Sequence, residues 1–295
     1  MAFGNGDFMY EVAEGWGQLP EGFEFKQVAD VAVDGNDNVY VYNRGTHNLV
    51  IFDREGNYLD SWDLQHKEPH GICVGERGNI YLADRDSHVV EKRDPEGNLL
   101  LTLGTRDVPS DTGEQTERFL VEKPGGPFNM PTGIAIGSYS DIFISDGYSN
   151  CRVHHYNSTG THMKSWGLPG KDNPGDFHLP HGIGVDAENR VVVADRENNR
   201  IQIFDEEGEF LFMWTGFQQP TSVAFGPEGE IYVPELQHRV SIIDGEGNLL
   251  ARWGDEHSHE PGLFYAPHGM AIDSHGDIYV GEVLEGQRIQ KFIRQ

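Results

Sequence analysis

The chain is poor in basic residues and in cysteine, and no long apolar run interrupts it. Its 22 Lys and Arg stand against 48 Asp and Glu, a formal charge of −26. Binding to nucleic acid or to anionic lipid depends on clustered cations, so neither is expected as a partner. No segment reaches the roughly 18 apolar residues of a membrane-spanning helix. The opening MAFGNGDFMYEVAEGWG also lacks the charged and apolar regions of an export signal. A cytoplasmic protein with no membrane partner is the expectation. The 2 cysteines, Cys73 and Cys151, are too few for a disulfide framework, and neither sits in a CxxC pair, so both are expected to be inert thiols. Glycine is abundant at 37 residues of 295. That is well above the ~7% of ordinary globular chains, so tight turns must be frequent.

One phrase recurs along the chain. It has a Pro-x-Gly-like start, an apolar alternation, a turn, an apolar triplet such as IYV, an acidic residue and a second apolar triplet. Its copies begin VADVAVDGNDNVYVYN, PHGICVGERGNIYLAD, PTGIAIGSYSDIFISD, PHGIGVDAENRVVVAD, PTSVAFGPEGEIYVPE and PHGMAIDSHGDIYVGE. The second residue of each opening is Ala29, His70, Thr132, His181, Thr221 and His268, at intervals of 41, 62, 49, 40 and 47 residues. Repeats of ~40–50 residues, each with four short alternating strands, predict an all-β, six-bladed β-propeller; helical spacing of apolar residues is missing. Trp62, Trp166, Trp214 and Trp253 end the fourth strand of four repeats, and Leu103 ends that of the second. The sixth copy stops at Gln295 before any fourth strand. The N-terminal FMYEVAEGW, ending on Trp16, is of the right type and is predicted to supply that strand and close the last blade. One domain over residues 1–295 is expected, with a single insertion at about 105–128 that reads as a solvated loop or as a lid.

At the anchor register the residues run Ala, His, Thr, His, Thr, His. Because blades are radial, His70, His181 and His268 are expected to converge about 120° apart on one axis. Three neutral imidazoles with an open fourth position make a catalytic type of divalent-metal site, most suited to zinc. The plainer alternative is that each histidine only hydrogen-bonds its neighbouring blade. An acidic column (Asp84, Asp146, Asp195, Glu235 and Glu282, with Asn43 in blade one) closes the second strands and is expected to form turns, since it recurs in blades with and without histidine. The loops after it carry Arg44, Arg85, Gly147-Tyr148, Arg196, Leu236 and Val283. Antiparallel first and second strands put these loops on the face that holds the histidines. A tyrosine among cations is suited to act as a general base, and arginine to grip a carboxylate bidentately, which points to a small anionic substrate. The pairs His154-His155 and His257-x-His259 look like ligands but fall away from the axis and are expected on the surface.

In LPHGIGVDAENRVVVADRENNRIQIF, PTGIAIGSYSDIFISDGYSNCRV and APHGMAIDSHGDIYVGE the sequence resembles the NHL-repeat propellers, and among them the peptidyl-α-hydroxyglycine α-amidating lyases. The resemblance implies that His70, His181 and His268 are zinc ligands, that Tyr148 in SDGYSN is the general base, and that Arg44 in NRGTHN and Arg196 in ADREN are active-site arginines. Gly269 stands where the family has an Asp that helps hold a structural calcium, so that calcium is not carried over. Ala266 replaces a pocket Met, and the family disulfides are missing. The implied reaction is metal-dependent cleavage of the C–N bond of an N-acyl or N-substituted α-hydroxyglycine-like carbinolamide, giving an amide or amine and a glyoxylate-type oxo-acid. Two other classes stay open. A metal-dependent propeller hydrolase would act on a lactone or ester, commonly through calcium held by Asp, Glu and Asn where this chain has His and Thr. A non-enzymatic NHL interaction scaffold would need no histidine on alternate blades.

Overall fold

The apolar triplets of the repeat become the buried middles of sheets. In the computed structural model, which describes residues 2–113 and 119–295 apart from the side chain of Glu76, each repeat is an antiparallel sheet, and the six sheets are the blades of a β-propeller. Five blades have four strands and the last has five. Among the described residues there is no α-helix, only short 3-10 turns, and so no helix long and apolar enough to cross a membrane. The second strands, Val39–Asn43, Ile80–Asp84, Ile142–Asp146, Val191–Asp195, Ile231–Glu235 and Ile278–Glu282, are buried along their whole length. Their β-branched and aromatic residues suit a strand covered on both faces. Outermost strands such as Tyr58–Trp62 and His162–Trp166 are largely exposed.

The chain forms two compact units, residues 1–65 with 221–295 and residues 66–220. The first holds blades one, five and six. Blade six packs on blade five through Phe264, Trp253, Met270 and Phe292, and the buried hydroxyls of Tyr10 and Tyr232 lie 3.0 Å apart. On its other side it meets blade one through Val41, Phe52, Tyr279 and Ile289, and Arg54 of blade one donates to Asp273 at 2.9 Å and Asp277 at 2.5 Å. The second unit holds blades two, three and four. Tyr81, Leu103, Phe128 and Ile144 fill the space between two and three, and Phe143, Trp166, Phe177 and Phe204 that between three and four.

Phe8–Val12 pairs antiparallel with Arg288–Arg294, with Tyr10 opposite Arg294 and Val12 opposite Phe292, so the N-terminal segment supplies the missing strand as predicted. Two details differ. The strand stops at Val12, because a turn from Ala13 to Trp16 redirects the chain; Trp16 packs on Phe52 and Tyr279 and donates Nε1 to the Arg54 carbonyl at 2.9 Å. The chain before it folds back as Ala2–Asn5, a fifth strand whose Asn5 donates to the Leu250 carbonyl. Of the insertion, residues 114–118 lie outside the described residues. The rest is tied to blade three by Thr112 Oγ1 donating to the Ser149 carbonyl (2.7 Å) and by Gly125 N–H donating to Asn150 Oδ1 (3.1 Å).

The acidic column does more than form turns. Its members are fully buried, and four of its five carboxylates bind the main chain leading into their own blades: Asp84 accepts from Glu68 N–H, Asp146 from Asn129 N–H, Asp195 from His178 N–H and Glu282 from Tyr265 N–H. Where blades meet, the backbones approach closely enough to require glycine. A Cβ on Gly71 would lie 2.4 Å from the Thr132 carbonyl oxygen, and one on Gly269 would lie 2.3 Å from Asp30 Cα. The family aspartate therefore has no room at position 269 on this backbone.

Gly269→Ala is expected to cost about 1–3 kcal/mol through overpacking, read as a melting-temperature drop of several degrees, whereas Gly245→Ala, where a Cβ meets nothing, should cost less. Acid sensitivity has a named source as well. Glu91 is buried against His66 (3.2 Å), Arg93 (2.6 Å) and Arg106 (2.5 Å). Burial raises its pKa, but the bonds from His66 and Arg93 outweigh it and bring the value from 4.5 down to about 2. A carboxyl lowered on folding stabilises above its unfolded value and loses that contribution as pH falls through the folded one. Melting temperature followed from pH 4.5 down to about 2 should fall less steeply for Glu91→Gln than for the parent chain.

Candidate active site

His70, His181 and His268 each stand second in the first strand of a blade, in Pro69–Val74, Pro180–Val185 and Pro267–Ile272, and all three are buried. His70 Nδ1 lies 2.7 Å from the carbonyl oxygen of Thr132, the residue at the same register in blade three. Thr132 in turn donates Oγ1 to the carbonyl of Pro180 (2.9 Å), immediately before His181. The other unit repeats the pattern: Thr221 Oγ1 donates to the Pro267 carbonyl at 3.2 Å, and His268 Nδ1 lies 2.6 Å from the Ala29 carbonyl of blade one. A carbonyl only accepts, so Nδ1 carries the proton in His70 and His268 and the lone pair is on Nε2. Metal-ligating histidines are held in this way, by a carbonyl on the nitrogen that does not bind the ion. His70 and His268 thus bond the neighbouring blade as the plainer alternative expects, and the nitrogen left over in each has the chemistry that a divalent ion needs.

Tyr148 follows Gly147 in the loop after Ile142–Asp146. A Cβ on Gly147 would lie 2.1 Å from the Pro180 carbonyl, so the loop is pressed against the start of blade four. This brings the Tyr148 hydroxyl to 3.4 Å from His181 Nε2 and 3.2 Å from Arg196 Nη1. A guanidinium N–H only donates, so the hydroxyl oxygen accepts from Arg196. The His70 and His181 rings have centroids 4.7 Å apart, and Tyr148 meets them edge-on at 5.2 and 5.7 Å. Arg85 lies 4.7 Å and Arg196 5.3 Å from the tyrosine ring centre, within cation–π range. Each arginine has a carboxylate partner: Arg85 bonds Asp86 at 2.8 Å, and Arg196 bonds Glu197 at 2.9 Å. Burial works against the charge of Arg85, but the Asp86 bond and the charges of Tyr148, Asp86 and Glu68 outweigh it and raise its pKa.

The second unit thus brings together His70, His181, Tyr148 and Arg196. His268 and Arg44 belong to the first unit, where Arg44 Nη1 donates to Gln27 Oε1 at 2.6 Å. Two further side chains flank the tyrosine. Arg85 occupies the loop register that the sequence shows, one position after Asp84. Phe119, from the insertion, meets Tyr148 edge-on at 5.4 Å and lies 5.5 Å from the Arg196 guanidinium; no sequence signal marked it. The surface expectation for His154 and His155 is wrong: both are buried, His154 against Asp146 and Ser165 and His155 against Asp141. Cys73 and Cys151 are free, and burial pushes the Cys151 thiol up to about 12, which makes it inert.

The NHL repeat family matches residues 67–91, 177–204 and 264–292, the stretches that carry the three histidines. Human NHL repeat-containing protein 3 is 29% identical over 313 residues, covering 97% of this chain and 84% of that one. A Caenorhabditis elegans protein named "Probable peptidyl-alpha-hydroxyglycine alpha-amidating lyase" is 31% identical over 173 residues, 57% of this chain and 45% of its own length. The fold is shared with a gluconolactonase from Xanthomonas campestris at a TM-score of 0.68 and 11% identity, over 98% of this chain and 91% of the other. Three stretches of this six-bladed β-propeller therefore match NHL repeats, and a protein named as a probable amidating lyase is among those related to the chain in sequence.

Proposed function

We propose that the protein is a metal-dependent carbon–nitrogen lyase for a small anionic N-acyl or N-substituted α-hydroxyglycine. The observation that carries this reading is the Tyr148 hydroxyl set between His181 Nε2 and Arg196 Nη1, with sequence kinship to a protein named as an amidating lyase beside it. His70, His181 and His268 are the candidate ligands of one divalent ion, zinc being the natural match for three neutral imidazoles. Such an ion, when bound, supplies Lewis-acid stabilisation of negative charge on a substrate oxygen.

The chain's own residues do the rest. The Tyr148 oxygen takes the proton of the substrate hydroxyl. The freed electron pair becomes the carbonyl of the oxo-acid as the C–N bond breaks, and Tyr148 passes the proton it took to the departing amide nitrogen, which restores the base. No water is consumed. Arg196, already in contact with the tyrosine, and Arg44 from blade one hold the substrate carboxylate. Arg85 across the tyrosine ring and Phe119 at its edge fix its orientation and keep water from it, which gives the insertion a covering role.

Metal analysis of the purified protein should find a stoichiometric divalent ion, and glyoxylate should appear when an α-hydroxyhippurate-like compound is added. Tyr148→Phe is expected to lower kcat by about 10²–10⁴-fold with metal content unchanged, and His181→Ala to lose the ion. Absence of a bound ion, or full turnover in Tyr148→Phe, would sink the proposal. Opening of a lactone to a hydroxy acid with no glyoxylate formed would point instead to a hydrolase.

A further inference from the structure

In blades four, five and six the buried carboxylate has a recurrent set of partners, and blade three, which has an arginine at the same register, departs from it. In blades four, five and six the arginine that opens the third strand grips the carboxylate: Arg200 with Asp195 (2.7 Å), Arg239 with Glu235 (2.8 Å) and Arg288 with Glu282 (2.5 Å). Two residues further on, Gln202, Ser241 and Gln290 each add a hydrogen bond to the same group. In blade three Arg152 stands at this register, opposite Asp146, yet its guanidinium donates to the Gly167 and Ser165 carbonyls instead. Asp146 is met by Asn150 at 2.7 Å and by His154 Nε2 at 3.3 Å. The other nitrogen of His154, Nδ1, lies 2.8 Å from Ser165 Oγ, and His162 Nε2 lies 2.7 Å from that oxygen.

A carboxylate only accepts, so His154 carries its proton on Nε2, and Nδ1 offers its lone pair to the Ser165 hydroxyl. Carboxylate, imidazole and hydroxyl stand in the order of a nucleophilic triad. Asp146 and His154 are buried, while Ser165 is half-buried beside a cavity of about 470 Å³ lined by Pro127, Arg152, His154, Tyr156, His162 and Ser165. Arg152 Nε is buried there with no hydrogen-bond partner among the described residues, a donor placed for an oxyanion. Blade three lacks the arginine–carboxylate pair of blades four to six at the place where this cavity opens.

We infer that Ser165 is an acyl-accepting nucleophile for small carboxylic esters, with His154 as its base and Asp146 holding His154 in the required tautomer. Ser165 Oγ attacks the ester carbonyl carbon and its proton passes to His154. The alkoxide leaves with that proton as an alcohol. Water then adds to the acyl-serine, again giving a proton to His154, and the acid and free serine are restored. This chemistry needs neither the three histidines nor Tyr148, so it stands or falls apart from the lyase reading.

The test is labelling of the intact protein with a fluorophosphonate, with the adduct mapped by peptide mass spectrometry and p-nitrophenyl acetate hydrolysis measured in parallel. One adduct on Ser165 is expected, abolished in Ser165→Ala. His154→Gln installs the side chain that Gln202 and Gln290 use at the same register, so it should keep the fold, as its melting temperature will show, while labelling and esterolysis fall by about 10²-fold or more. A folded protein with no adduct on Ser165, or a His154→Gln variant labelled at the parental rate, overturns the inference.

Discussion

The site depends on one repeated hydrogen bond, from the side chain at the anchor register of a blade, at or just before its first strand, to a main-chain carbonyl of the next blade. His70 makes it to Thr132, Thr132 to Pro180, Thr221 to Pro267 and His268 to Ala29. Histidine and threonine satisfy the same structural need, because each presents one donor at about the same reach. They differ in what is left over. Threonine spends its only proton and offers nothing more than a hydroxyl oxygen already between strands, whereas histidine keeps a second nitrogen with a lone pair. Within each unit the two residues tie neighbouring blades together, and histidine retains a second ring nitrogen where threonine retains none. A structural and a catalytic reading of the histidines are therefore not rivals: the bond that positions the ring also fixes the tautomer that the proposed metal site would need.

The abundant carboxylates have two kinds of work, and neither is solubility alone. At exposed hairpins Asp34, Asp53, Asp94 and Asp244 each accept the main-chain N–H four residues on, which ties the turn whatever its other residues are. In the blade interiors the acidic column anchors the incoming chain, and in blades four to six it also holds a guanidinium. Burying a carboxylate is costly unless it is paired and hydrogen-bonded, so the repeat supplies a donor set with each one. At Asp195 burial still raises the pKa against the bonds from Asn198 and Arg200, which shows how strongly each position is desolvated.

Much of this was legible in the sequence because a repeat reports its own register. Once the copies are aligned, the equivalence of His70, His181 and His268, the loop position of Tyr148 and Arg196, and the need for an extra strand from the N-terminus follow from counting. What escaped depends on contacts between unlike segments. The fifth strand Ala2–Asn5 forms only because the chain turns at Gly6, and an isolated four-residue AFGN carries no strand signal of its own. Phe119 reaches Tyr148 from an insertion that no other blade has, so alignment of the copies could not place it. His154 and His155 were assigned to the surface because they lie far from the anchor register. They are buried because a propeller blade's third strand is covered on both faces, and the neighbouring Asp146 and Asp141 give them partners there.

The charge balance around Tyr148 constrains what can bind. The chain carries −26 overall, and both arginines at the tyrosine have a carboxylate already bonded to them, Asp86 on Arg85 and Glu197 on Arg196. These local pairs come close to neutral, so the arginines contribute direction and hydrogen bonds more than net positive potential. The three histidines proposed as ligands would, as neutral imidazoles, add no charge of their own. A bound anionic substrate would then face an acidic protein with little to offset it, unless a dication occupies the histidines. In that case the ion brings its full charge uncompensated by its ligands, which an Asp- or Glu-rich site would not allow. On the proposed reading, a histidine-only ligand set in a strongly acidic chain would leave the most positive charge for an anionic substrate, and this would link the composition of the whole chain to the chemistry of its anchor register.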